Sequence, residues 1–304
     1  MDVRMEKMES KEIKGKTVDY TVTNVGPVPG GEAFLIVSQN STILYDSGFG
    51  FCGNQLVANI KKVLGVRPLD YVLITHSHYD HILGSAYCAR EWKDVKIVAG
   101  AHTSDVILKE GAKKTMRALN HVAAKMYGVN EYEDLVDNLR VDIAVKEGDV
   151  IDTGDFKFVV KEFYGHTFCS IGFYCPEEKF LLSCESIGVY LGNDEMVPIF
   201  LVGYNIALNS IDKALELDID SMLLAHTGIV TGDRCKKLLQ TSRQMAVDGA
   251  KEIMAAHNEG KEYEELLAIL KEKYYTVYAR KLQPEAAFDE NAKYMIPVII
   301  RDLS

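Results

Sequence analysis

Apolar and polar residues change their period several times along this chain, and each change marks an element. Val18, Tyr20 and Val22 alternate with polar neighbours, the two-residue period of a half-exposed strand. Residues 1–16 before them are charged and are expected to fray at the start. Pro27-Val28-Pro29-Gly30-Gly31 is a turn. Ala33-Phe34-Leu35-Ile36-Val37 and Ile43-Leu44-Tyr45 then read as two buried strands, with Gln39-Asn40-Ser41 as the hairpin turn between them. Leu56, Ile60, Val63 and Leu64 recur at helical spacing, so a helix is predicted over 54–64, ended before Pro68. Tyr71-Val72-Leu73-Ile74 is a continuous apolar run, the pattern of a strand buried on both faces. A helix from Ile82 to about Trp92 and a short strand over 96–99 complete a strand-helix-strand rhythm.

Residues 103–139 break that rhythm. Met116, Leu119, Val122, Ala123 and Met126 recur at helical intervals, which predicts two or three inserted helices. Their Met and Tyr residues either pack the insertion onto the domain or line a pocket beneath a lid. His102 and His121 fall here outside any motif and are read as non-ligands. Residues 149–155 are turn-rich, 156–163 alternate as a strand, and Phe180-Leu181-Leu182 ends another. A helix is expected over 206–217 and a strand over 221–225. A long helix over 233–259, interrupted near Gly249, and a second over 263–280 follow, and the apolar stretch 291–300 is a last helix or a docking tail. The expected organisation is a domain over 1–232 carrying the insertion, and a helical extension over 233–304 packed on it. The extension also offers a surface for a homodimer.

With 304 residues, 47% of them hydrophobic and 26% charged, the chain can bury a sizeable core. Its formal net charge of -10 argues against a nucleic acid as the main partner, because such binding rests on Lys and Arg neutralising phosphates. The first residues show no apolar signal-peptide core, and no run is long enough to span a bilayer. The six cysteines are scattered without C-x-x-C spacing. A cytoplasmic protein with reduced thiols is therefore expected.

The densest chemistry follows the buried run at 71–74. In Thr75-His76-Ser77-His78-Tyr79-Asp80-His81, three imidazoles and a carboxylate fall within six residues of a strand end. Such donors suit zinc, iron, manganese or nickel to differing degrees. This H-x-H-x-D-H stretch resembles the signature of the metallo-β-lactamase-fold superfamily. Gly165-His166-Thr167 followed by Ser170, and His226 after the strand at 221–225, are similar to that superfamily's later motifs and occur in the same order. Asp46-Ser47-Gly48 is similar to the turn that supports its metal site, although an Asx-turn closing a hairpin explains those residues equally well. Where the superfamily has a bridging Asp, this chain has Glu185, preceded by Cys184. The extra methylene shifts the carboxylate by roughly 1.5 Å or forces a bent rotamer. Cys184 is the rival ligand, since adjacent residues of an extended strand point opposite ways.

The resemblance implies an α/β fold, the four-layer αββα sandwich, with a helical insertion and a helical C-terminal extension. It leaves the glyoxalase II-like and lactonase-like branches both open. It implies two divalent metal ions, zinc first and iron or manganese as alternatives. His76, His78 and His166 would hold one, Asp80, His81 and His226 the other, with Glu185 between them. Asp80 would also act catalytically by orienting the nucleophile. The implied activity is metal-dependent hydrolysis of a small ester, thioester or lactone by a hydroxide shared between the metals. The alternatives are a phosphodiesterase and a diiron redox or oxygen-binding protein of the flavodiiron type without its flavodoxin domain. The expected partner is a small-molecule substrate, with neither nucleic acid nor membrane.

Overall fold

The first apolar runs of the chain become the first strands of a sheet. The computed structural model describes residues 8–192, 194–282 and 284–304. It divides into two units, the chain through Lys161 with Ile171–Leu182, and Glu162–Ser170 with Ser183–Ser304. In the first unit β1 (Ser10–Ile13), β2 (Tyr20–Asn24), β3 (Phe34–Val37) and β4 (Thr42–Tyr45) pair antiparallel. Parallel strands β5 (Tyr71–Leu73), β6 (Lys96–Gly100) and β7 (Ile143–Val145) extend the sheet, in the order β1 to β7. Parallel neighbours need crossovers. These are α1 (Gly53–Leu64), then α2 (Tyr79–Ile82) with α3 (Ser85–Glu91), then α4 (Ala101–Val106) with α5 (Glu110–Met126). Because β5 is paired on both edges, Val72 and Leu73 are fully buried, and so is Ile74 just beyond it.

β8 (Val150–Asp152), β9 (Lys157–Glu162), β10 (Ile171–Cys175) and β11 (Phe180–Leu182) are successive neighbours in a second sheet. Tyr20 of β2 meets Phe156 edge-on at 5.3 Å and stacks on Phe180 of β11 at 5.2 Å. Each such buried aromatic contributes roughly 1.5–3 kcal/mol. The fraying expected at the start of 1–16 lies mostly outside the described residues, and from Ser10 onward the chain is held. Ser10–Ile13 pairs with β2, and the Glu178 carboxylate accepts the backbone N–H groups of Lys16 (2.6 Å) and Thr17 (2.7 Å). The helix expected from Ile82 is broken into α2 and α3 around Gly84, which packs so close to the Ser47 carbonyl that a side chain there would overlap it. The turn-rich stretch at 149–155 contains β8, whose pairing with β9 its sequence does not announce.

The second unit contains the ribbon β12 (Val189–Gly192) with β13 (Glu195–Val197) and α6 (Tyr204–Leu215). It continues through the hairpin β14 (Ser221–Leu224) with β15 (Gly228–Thr231), and ends in α7 (Asp233–Asn258), α8 (Tyr263–Tyr274), α9 (Ala279–Leu282) and α10 (Glu285–Leu303). Tyr204, Ile253, Leu270, Tyr274, Phe288 and Ile299 form part of one core cluster. The stretch at 291–300 is helix rather than tail, and Asp302 near its end accepts the N–H groups of Tyr204 (2.8 Å) and Asn205 (3.3 Å), two of the orphan donors of α6. The helical extension expected from the sequence is thus present. No helix of the described residues is long and apolar enough to cross a membrane.

α7 runs through Gly249 without the interruption expected there. The glycine serves packing instead, because the Tyr274 ring and hydroxyl occupy the space a Cβ would need, and that hydroxyl donates to the Met245 carbonyl. Gly249→Ala sets a helix-propensity gain of about 1 kcal/mol against an overpacking cost of about 1–3 kcal/mol. A net loss of stability is expected in urea unfolding, only partly relieved when Tyr274→Phe removes the hydroxyl, because the ring still overlaps the new Cβ. A more stable Gly249→Ala protein would contradict this packing.

Candidate metal centre

The first donor group lies past the C-terminal end of β5. Ile74 donates its N–H to the Val98 carbonyl, and the Thr75 carbonyl accepts from Ile171 N–H, each at 2.9 Å, so the backbone is fixed just before the histidines. His76 and His78 stand in the loop, and Asp80 and His81 on α2. His76 and His81 are buried, with ring centroids 4.2 Å apart, and His78 lies 4.5 Å from His76. A ligand atom of His76 lies within 4.8 Å of one of His78, and the same holds for Asp80 and His81. His81 Nε2 is 3.6 Å from Asp80 Oδ2.

The turn at Asp46 organises this group. Asp46 is buried and takes a left-handed conformation (φ 52°), which Asp tolerates better than most residues. Its Oδ1 accepts Thr75 N–H at 2.9 Å, while Oδ2 lies 3.0 Å from Thr75 Oγ1 and 2.9 Å from His81 Nδ1. Ser47 donates both its N–H and its hydroxyl to the His81 carbonyl, each at 2.7 Å. Thr75 Oγ1 also meets His76 Nδ1 at 2.9 Å. With Nδ1 engaged on both rings, Nε2 is the nitrogen each can turn toward a metal. Asp46 therefore supports the histidines and does more than close a hairpin.

The second unit holds the other three residues. Gly165 adopts φ 138° against α6, where a side chain would overlap Ala207, and its carbonyl accepts the N–H groups of Leu201 and Val202 at 2.8 and 3.0 Å. This fixes His166, whose N–H donates to Ser186 Oγ at 3.1 Å. Glu185 opens a 3₁₀ turn (Glu185–Ile187). Its Oε2 lies 2.9 Å from His166 Nε2 and its Oε1 3.3 Å from His226 Nε2. His226 follows β14 at φ 68°, an unusual conformation for a side chain of its size. The neighbouring Cys184 thiol lies 3.9 Å from the Phe163 carbonyl, so at this strand end it is the carboxylate that meets the imidazoles.

The donor chemistry fits a divalent cation. Buried imidazoles, oriented through Nδ1 by a carboxylate and a hydroxyl, are the arrangement a metal ligand requires, and the nearby carboxylates add hard oxygen donors. Burial pushes the thiols of Cys52 and Cys88 up to about 12, which disfavours the thiolate that a metal would need. His102 and His121 are exposed and belong to neither group of potential ligands. Thr75 and Ser186 are supporting residues that sequence reasoning passed over, and Ser47 was read only as part of the Asp46 turn. Only the position of Thr75, directly before the first histidine, could have flagged one of them.

Imidazole and carboxylate donors at strand ends of a two-sheet α/β fold define a metal-binding class. The model of the metallo-beta-lactamase superfamily matches residues 26–226, about two thirds of the chain, and the chain belongs to that superfamily. It is 24% identical over 213 residues to the metallo-beta-lactamase fold-containing protein ST1585 of Sulfurisphaera tokodaii, covering 68% of this chain and 77% of that one. Among solved structures, it is similar to the stereoselective inverting sec-alkylsulfatase Pisa1 from Pseudomonas sp., with a TM-score of 0.64 and 14% identity over 86% of this chain and 45% of the other. A flavo di-iron protein from Thermotoga maritima matches with a TM-score of 0.55 and 17% identity, over 83% and 68% of the two chains. At these identities the solved structures share the fold.

Asp46→Asn keeps the shape of the turn but removes the charge facing His81 Nδ1. Metal affinity is expected to fall about 10–100-fold, as read by competition with a chromophoric chelator. Unchanged affinity would show that Asp46 serves only the turn.

Proposed function

We propose that this protein is a metal-dependent hydrolase in which His76, His78 and His166 hold one divalent cation, Asp80, His81 and His226 hold a second, and Glu185 lies between them. The observation that carries this reading is the Glu185 carboxylate, which presents one oxygen to the His166 imidazole and the other to that of His226. A carboxylate that faces two would-be ligands at once is suited to bridging. Zinc, or iron or manganese in its place, would supply Lewis acidity and lower the pKa of water toward ~7.

The protein's own groups do the rest. Thr75 and Asp46 hold the rings of His76 and His81 in one orientation. Asp80, whose side chain keeps partial access to solvent, accepts a hydrogen bond from the attacking water and can take its proton. A cavity of about 260 Å³ opens beside His78 and Tyr79. It lies just below the range of about 300–1,000 Å³ for small-molecule sites, which supports a small ester, thioester or lactone. The acidic net charge disfavours a polymeric phosphodiester.

The test is elemental analysis of the purified protein combined with a panel of esters, thioesters and lactones before and after chelation. Chelation should abolish hydrolysis and added metal should restore it. His78→Ala should lose metal and lower activity by more than about a hundredfold, and full activity in that variant would end the assignment. Glu185→Asp should keep both metals and Glu185→Ala should lose at least one, whereas an unchanged metal content in Glu185→Ala would remove Glu185 from the ligand set. Protein that is coloured by iron and hydrolyses nothing on the panel would favour the diiron redox reading.

A further inference from the structure

The inserted helix α5 carries a surface that its own packing does not explain. It buries Met116, Asn120, Ala123 and Ala124, and Asn120 Oδ1 accepts the N–H groups of Gly50 (3.1 Å) and Phe51 (3.2 Å). On another flank Leu119, Val122 and Met126 remain 43%, 56% and 63% exposed. Their spacing sets them in one stripe along the helix. Scattered exposed apolar residues need no account, but a contiguous stripe marks a binding surface.

The stripe does not end in solvent. Toward the start of α5 it runs into the cavity of about 260 Å³, where Val106, Ala112, Met116 and Leu119 face His78 and Tyr79. Gly111 also lines this cavity, and a Cβ placed there would meet no atom within 4 Å. A side chain at this position therefore has room, and a large one could reach over the cavity.

We infer that this groove holds the hydrocarbon chain of the substrate, so that the enzyme prefers acyl esters or thioesters of medium chain length, an inference that rests on the hydrolase reading above. The acyl carbonyl lies at the His78 end and the chain runs along α5. From Gly111 to Leu119 the helical rise gives a floor of about 12 Å, enough for an extended chain of roughly eight to ten carbons. Val122 and Met126 continue the apolar surface beyond that. The reaction is an ordinary hydrolysis. The oxygen of one water bonds to the acyl carbon, the C–O or C–S bond breaks, and the carboxylic acid leaves with an alcohol or thiol that takes the second proton. A second copy of the chain or a bilayer would cover the stripe, but neither has use for a cavity that reaches His78.

The test uses the metal-loaded protein, p-nitrophenyl esters from acetate to dodecanoate, and dansyl-undecanoate as a probe that is not hydrolysed. kcat/KM should rise by about threefold to fourfold per methylene, up to roughly ten carbons. Gly111→Phe, which places a large side chain over the cavity, should lower both the decanoate-to-acetate preference and the affinity for dansyl-undecanoate by at least about tenfold. Leu119→Lys, on an exposed position, is the second variant and should shift both in the same direction. The inference is overturned if Gly111→Phe leaves both readouts unchanged, or if the parent protein binds dansyl-undecanoate no better than dansylglycine. It is equally overturned if Val122→Lys abolishes self-association, or sedimentation with phosphatidylserine vesicles, while Gly111→Phe leaves probe binding intact. Probe binding that depends on Gly111 in a protein that hydrolyses no ester would support the groove and discard the hydrolase reading.

Discussion

The hydrogen bonds of the Asp46 carboxylate are the constraint on which the first donor group depends. An ionised carboxylate removed from water is strongly unfavourable unless its oxygens are satisfied. Asp46 is buried, and Thr75 and His81 supply its partners. To meet them, the backbone after β4 turns sharply through the left-handed region. That turn brings Ser47 to the His81 carbonyl and forces close approaches on both sides. A side chain at Gly48 would overlap the Gly31 carbonyl, and one at Gly84 would overlap that of Ser47. The break between α2 and α3 follows from the same crowding. The histidines are thus oriented by a scaffold whose cost is met inside the first unit.

How much of this was legible in the sequence depends on how local each signal is. The donor cluster at 76–81 was legible because a continuous apolar run and four donors adjoin one another. The parallel strand β5 was legible because burial on both faces removes the polar alternation. β1, β8 and β15 went unread because each is short, and its pairing is fixed by a partner strand rather than by its own composition. The support of His81 by Asp46 spans 35 positions, so the resemblance suggested it where no spacing rule could. Gly249 was misread for a related reason. Its neighbours in sequence predict a weak point in a helix, while Tyr274 of α8 shows that the missing side chain makes room.

Glu185 stands where the resemblance led to the expectation of an aspartate, and the local backbone accommodates it. Cys184 is extended, and Glu185 begins a 3₁₀ turn closed by Gly188, whose N–H bonds back to the Glu185 carbonyl at 3.0 Å. The longer side chain starts from this turn and reaches both imidazoles with separate oxygens. His226 meets it from a left-handed backbone position. Holding a non-glycine residue in a sparsely populated conformation costs of order 1–3 kcal/mol, and such residues persist where the surroundings fix them. The unusual carboxylate and the unusual backbone therefore belong to one arrangement.

The fixity of α5 decides between the two roles open to the insertion. A lid must leave its closed position at modest cost, and α5 is tied along its length. Asn120 holds the N–H groups of Gly50 and Phe51, and the Tyr127 hydroxyl donates to the Pro29 carbonyl, partners that lie outside the insertion. Swinging the helix away would strand the buried Asn120 side chain and expose Met116, Ala123 and Ala124. An unsatisfied buried polar group alone costs about 1–3 kcal/mol. The insertion is accordingly a standing wall, and its exposed apolar flank is a permanent feature of the surface. On the acyl-chain proposal, an apolar flank that leads into a cavity at His78 would select its occupant by shape and hydrophobicity, with no closing motion required.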